Sequence, residues 1–331
     1  MRLTRPFRGR THLERTPREL ILFIALGAAL ALAALLGVSW AAGFAAVGAR
    51  LRHVDVIWLP IALAAEAVAY VGYVFAYREV ARVEDGPELP HSRALALVAT
   101  GFGVFIARGG FAVDLHAFRH EGVDDREARV RVLGLGALEY ALLAPATCIV
   151  AILLLVDHVH TPATGLTMPW AIAVPTGGIV ALSALRIRGR LRGHVGWRDA
   201  IAQWLDSIHV LRQLFIRLEH AAGPVGTAVY WFGDIACLAL CLRAYEGHFP
   251  SIAPLLIGYA TGYALTRRTL PLAGAGTVEA LLPFALSWSG TPLAAAVPAV
   301  FAYRMANFWL PIVPAIFGLR ALRAAQAAVR S

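Results

Sequence analysis

The chain contains no lysine, so all 30 of its basic side chains are arginines. Charge of any kind is scarce: charged residues make up 15% of the sequence, against about 25% in soluble globular domains. Cysteine is scarcer still. Cys148, Cys237 and Cys241 all stand inside apolar runs, with no CxxC pair, which excludes a disulfide framework. Cys237 and Cys241 share a helix face at i, i+4, as small packing residues do. No P-loop, HExxH, GxSxG or GxGxxG is present, which leaves ATP-driven transport and familiar hydrolase chemistry without support. No separate basic domain exists to bind nucleic acid. His116 and His120, four apart with Asp114 near, have a spacing that arises easily on a short helix and makes a poor metal pair. No cofactor or metal is expected, and no enzymatic activity.

Apolar sequence is what the chain has in excess. It is 59% hydrophobic, with mean hydropathy +0.65 and net charge +9. This is the composition of an all-α polytopic membrane protein, and its arginines then read as topology signals and as attraction to anionic lipid. A basic arm, residues 1–19, precedes a first crossing at about Leu20–Val47, too long an apolar run for a cleaved signal peptide. Further crossings are expected at Val56–Tyr77, Val130–Val156, Met168–Leu185, Val225–Leu242 and Leu293–Phe317, about six in all. Residues 197–219 repeat Trp197, Ile201, Trp204, Leu205, Ile208, Leu211, Phe215 and Leu218 at helical spacing, as an amphipathic helix on the membrane surface does. That helix could also seat a partner protein. A basic tail occupies residues 319–331.

Two segments are too short to cross. Ala94–Ala107 and Ile252–Leu265 hold about 14 apolar residues each, where a crossing needs about 20. Each ends in a break rich in glycine and arginine: Arg108-Gly109-Gly110 in the first case, and Arg267-Arg268 followed by Pro271, Gly274, Gly276 and Glu279 in the second. Backbone broken at membrane depth survives only where protein or a water-filled cavity satisfies it. If both segments dip in and return, the arm, the loop Arg186–Glu219 and the tail all fall on the cytoplasmic side, as the positive-inside rule asks. The two hairpins then enter from opposite faces. The sequence expects an inverted-topology repeat, with halves at about 56–156 and 225–318. Asp114 and Glu279 occupy equivalent places in it. Gly122 to Ala128 and Gly290 to Ala296 repeat one interval of six residues.

The run Leu270-Pro271, Gly274, Gly276 and Glu279, then Gly290, then Phe301-Ala302-Tyr303-Arg304-Met305-Ala306-Asn307-Phe308-Trp309-Leu310-Pro311, resembles the lysylphosphatidylglycerol synthase transmembrane (flippase-like) domain family. Arg108-Gly109-Gly110 supports the likeness, which covers about Leu20 to Gly318. Ala273 and Ala275 stand where that family usually has Pro-Gly-Gly and a further Gly. The resemblance implies lipid translocation or a related membrane role. A chain ending at Ser331 is expected to lack the soluble domain that transfers an amino acid from tRNA.

The candidate site follows from both readings. Arg108, Arg267 and Arg268 suit a phosphate by bidentate donation, and Gly109, Gly110, Pro271, Gly274 and Gly276 free backbone N–H groups beside them. Asp114 and Glu279 could take up protons or pair with the arginines. Tyr303, Arg304 and Asn307 share one helical face, and an arginine inside so long an apolar run needs a partner, for which Glu279 is the candidate. Glu66, Glu139 and Asp234 are three further intramembrane acids, read as functional groups or as interhelical hydrogen-bond partners. The expected ligand is an anionic lipid, a phospholipid or polyprenyl phosphate, in a bacterial-type inner membrane with both termini cytoplasmic. The alternatives are a membrane subunit of a lipid- or polyprenyl-dependent transferase, with Glu139, Asp114 and His116 as its only candidate centres, and a scaffold acting through helix 197–219.

Overall fold

The structure is a computed structural model that describes residues 17–104, 114–115, 117–119, 121–156, 164–186, 196–264, 271–313 and 315. Among these residues the regular structure is entirely helical. In chain order the main helices are α1 (Pro17–Ala42), α2 (Phe44–Arg52), α3 (Trp58–Arg82), α4 (His91–Val104), α5 (Asp125–Val156), α6 (Thr164–Leu185), α7 (Trp197–Ile216), α8 (Ala222–Glu246), α9 (Ile252–Tyr259), α10 (Thr277–Trp288) and α11 (Leu293–Arg304). Five described helical segments are long and apolar enough to cross a bilayer: Ile21–Ala42, Trp58–Arg82, Asp125–Val156, Thr164–Leu185 and Leu218–Glu246. They match the first five expected crossings, with shifted ends. The first stops at Gly43, whose φ of 83° breaks α1 from α2. The last expected crossing is no uninterrupted α-helix, because α11 widens into a π turn at Met305–Trp309.

α3 and α8 form the centre, running antiparallel at backbone contact. A Cβ added at Gly72 would lie 2.5 Å from the Gly226 carbonyl oxygen, and one at Gly233 would lie 2.6 Å from that of Ala65. Lipid tails are as apolar as leucine, so helices in a bilayer gain from close van der Waals packing through small residues. Gly72, Ala76, Gly226 and Gly233 provide that approach. Around this pair lies one large cluster that includes Tyr73, Leu138, Tyr230, Leu238, Tyr259, Leu282 and Val300. α6 stands at the periphery, almost wholly exposed, as a lipid-facing span is.

Charges tie down the helix ends. Arg131 of α5 is buried and donates to the carbonyls of Ala81 (3.1 Å) and Val83 (2.8 Å), closing the end of α3. Asp124 caps α5 by accepting the N–H of Arg126 (2.7 Å) and of Glu127 (3.0 Å). These bonds, the one from Glu127 first, hold the Asp124 carboxyl below the usual carboxylate range. The cap therefore contributes above the unfolded carboxylate value and is lost as pH falls through the folded one. α7 ends at Ile216 and passes into a 3₁₀ turn, Leu218–His220. It buries Leu205, Val210 and Leu214 and leaves Trp197, Trp204, Phe215 and Leu218 exposed, so most of the expected apolar face points away from the bundle.

α9 and α10 make a short antiparallel hairpin. Gly258 lies against Leu286 and Ala285, and Gly262 against Leu282. α9 continues as a π turn, Ala260–Ala264, and a 3₁₀ turn, Pro271–Gly274, precedes α10. Each arm spans about 20 Å, less than a hydrocarbon core of about 30 Å. The end of the hairpin at Gly276 packs against Leu30. Leu30 stands roughly 14 Å along α1 from Ile21, within a span of about 33 Å. The break after α9 therefore ends level with the middle of α1.

Gly226→Ala tests the central packing. The added methyl meets backbone on α3, so thermal stability in detergent should fall by about 1–3 kcal/mol or more. Gly165→Ala, in open space, should leave it unchanged.

Candidate functional site

A buried polar network occupies the level of the hairpin break. Its centre is Asp234, halfway along α8 and fully buried. Asp234 accepts hydrogen bonds from the hydroxyls of Tyr259 and Tyr303, the latter at 2.8 Å, and from Asn307 Nδ2 at 3.1 Å. Asn307 Nδ2 also donates to the Tyr263 hydroxyl at 2.6 Å, and its Oδ1 accepts from Arg304 Nη1 at 3.3 Å. Arg304 Nε donates to Glu279 Oε1 at 2.9 Å. Glu279 Oε2 in turn accepts the Gly276 N–H at 2.7 Å, at the start of α10. Glu66 of α3 joins the set beside Asp234.

Two departures from α-helical geometry bring these groups together. Tyr263 lies in the π turn that ends α9, and Asn307 in the π turn that ends α11. The hydrogen bond between their side chains joins the two turns. A π turn frees backbone groups, and other helices supply partners for them. Tyr140 of α5 donates to the Ala264 carbonyl at 2.6 Å. Trp170 of α6 donates to the Thr261 hydroxyl at 2.9 Å.

The energetics turn on Arg304, which is 1% exposed. A lone cation at this depth is costly, and a buried pair is tolerated only with good geometry and further hydrogen bonds. Glu279 supplies the charge and Asn307 a second acceptor. The Phe308 ring lies 4.2 Å from the guanidinium carbon, a cation–π contact on the remaining face. One nitrogen is left over: Arg304 Nη2 is buried and has no hydrogen-bond partner among the described residues. The set is thus a charge-compensated ion pair whose Nη2 is unbonded among the described residues. Gly274 and Gly276, both at positive φ, turn the chain beside it.

Of the residues singled out from sequence, Glu279, Tyr303, Arg304 and Asn307 are drawn into this network, and the expected pairing of Arg304 with Glu279 is present. Glu279 is at once the first-turn acid of α10 and the partner of Arg304. The backbone of Pro271 begins the adjoining 3₁₀ turn. Arg108, Gly109, Gly110, Arg267, Arg268, His116 and His120 lie outside the described residues. Asp114 is described beside Gly101 and Tyr77. Tyr77 is roughly 16 Å along α3 from Glu66. Glu139 is buried in α5, and its carbonyl accepts from Trp231 at 2.9 Å. Tyr259 and Tyr263 were not foreseen. Their signal was there: two tyrosines at i, i+4 on a helix otherwise apolar. A separate surface cleft of about 450 Å³ lies between the end of α3 and α7. Of its lining arginines, Arg82 pairs with Glu79 at 2.8 Å and Arg217 with Glu219 at 3.2 Å.

The family model described as lysylphosphatidylglycerol synthase TM region matches residues 23–315. No curated protein and no solved structure matches the chain.

Glu279→Gln removes the charge partner of Arg304 and should destabilise the detergent-solubilised protein by about 3–5 kcal/mol. The double variant Arg304→Gln/Glu279→Gln, neutral at both positions, should recover most of that loss in thermal unfolding.

Proposed function

Because the chain belongs to the lysylphosphatidylglycerol synthase transmembrane family, we propose that it binds a lipid by its phosphate and carries the headgroup across the bilayer. The lipid is anionic, a phospholipid or a polyprenyl phosphate. One observation carries the reading: among the described residues the buried Arg304 Nη2 has no hydrogen-bond partner, at a helix break level with the middle of α1. A guanidinium fork matches phosphate geometry, and away from bulk water such a bond is strong.

In this reading α9 and α10 are a re-entrant hairpin that enters from the face opposite the basic arm. Arg267 and Arg268, which fall between α9 and α10 in sequence, meet the headgroup before Arg304 does in this reading. α4 and the residues after it form the counterpart hairpin, with Arg108-Gly109-Gly110 and Asp114 in the corresponding places. The inverted repeat is supported by the antiparallel contact of α3 with α8, which open the two halves. The arm, the loop before α8 and the tail face the cytoplasm of a bacterial-type inner membrane. The exposed tryptophans of α7 rest in the interface on that side. The chain moves lipid and makes or breaks no bond in it.

Reconstitution into liposomes with headgroup-labelled phosphatidylglycerol, read by quenching of the outer leaflet, tests this. The neutral pair Arg304→Gln/Glu279→Gln should slow translocation at least about tenfold, the loss of roughly one charge-assisted hydrogen bond. Arg267→Ala and Arg268→Ala should each slow it less. Wild-type rates in the neutral-pair variant would remove Arg304 from the lipid path.

A further inference from the structure

We propose that Glu66 and Asp234 hold one exchangeable proton between them, and that this proton controls how freely Arg304 takes an anion. The second half rests on the lipid-binding reading above; the first stands without it.

The backbones of α3 and α8 touch at Ala65 and Gly233, which sets the next residues, Glu66 and Asp234, side by side. Both side chains are buried, and they interact with each other across the α3–α8 contact. The titratable groups facing this pair are Cys237 and Cys241 from α8, Tyr259 and Tyr263 from α9 and its π turn, and Tyr303 and Arg304 from α11. α4 and the start of α5 meet α3 at its far end, through His91 and Arg131. Arg304, the cation among these groups, already pairs with Glu279. Two adjacent carboxylates in such surroundings cannot both stay ionised, and a shared proton resolves the charge.

The donor pattern assigns the proton. Asp234 Oδ1 accepts from Tyr303 and Asn307, and Oδ2 accepts from Tyr259. A metal cation needs oxygen lone pairs turned toward it. Around Asp234 the neighbouring groups instead present hydrogens. Asp234 is held as the carboxylate, and Glu66 is the carboxylic acid that donates to it.

Asn307 links this pair to the anion position, touching Asp234 through Nδ2 and Arg304 through Oδ1. When Glu66 releases its proton, a second negative charge appears behind Asp234 and Asn307, two side chains from Arg304, and competes with any bound anion. Proton and anion therefore bind together, and by linkage each strengthens the other. A proton gradient would then drive the lipid in the direction the proton moves.

Two measurements test the proposal. Infrared difference spectra of the protein in nanodiscs should show the carbonyl stretch of a protonated carboxyl. Glu66→Gln should abolish it, and Tyr259→Phe, which removes one donor and little else, should shift it. Absence of that band from the wild type would overturn the proton site, whatever the lipid data show. The Kd for fluorescent phosphatidylglycerol should weaken by up to about tenfold per pH unit as Glu66 titrates, and the Glu66→Gln Kd should be flat with pH. A wild-type Kd that is flat, or that tightens as pH rises, would overturn the coupling. Equal Kd values for wild type and the Arg304→Gln/Glu279→Gln variant would overturn the lipid reading, while the infrared band would still decide the proton.

Discussion

The bond between Arg304 and Glu279 is the constraint that the rest of the site depends on. A cation in the middle of an apolar bundle costs several kcal/mol unless its charge and donors are met. Meeting them fixes the position of α10, whose first turn carries Glu279, and of α11, which carries Arg304. It fixes the hairpin turn as well, because Glu279 also binds the Gly276 N–H. From Arg304 the constraint passes through Asn307 to Asp234 and so to α8, at the centre of the fold. The pair thus ties α8, α10 and α11 to one another.

Close packing makes this network possible. Glycine and alanine along α3 and α8 let those helices meet at backbone contact, which draws Glu66 and Asp234 together. The π turns then add what regular helices could not. They open α9 and α11 at the same level and aim Tyr263 and Asn307 at each other. Asp234, Tyr263 and Asn307 thereby find partners inside the bundle, as a membrane interior requires.

Much of this was legible in the sequence. Long apolar runs mark five spans because a bilayer demands about 20 such residues, and shortness alone marks α9. Arg304 inside an apolar run asks for an acid, and Glu279, just after the glycine-rich break, was the natural partner. What could not be read depended on tertiary structure. Asp234 and Asn307 are 73 residues apart, and no local pattern says that they touch. Nothing in ATGYA or MANFW announces a π turn, since that geometry comes from packing against neighbouring helices. That Arg304 Nη2 has no partner among the described residues is likewise a fact of tertiary structure.

The absence of lysine offers a direct test of the central claim, that Arg304 holds a lipid phosphate at mid-membrane. Labelling arginine with ¹⁵N labels every basic side chain except histidine. Solid-state NMR of the reconstituted protein in phosphatidylglycerol can then measure dipolar coupling between guanidinium nitrogens and lipid ³¹P. The account predicts a buried guanidinium signal coupled to ³¹P in the wild type and absent from Arg304→Gln/Glu279→Gln. Coupling confined to exposed interfacial arginines, unchanged in that variant, would contradict it.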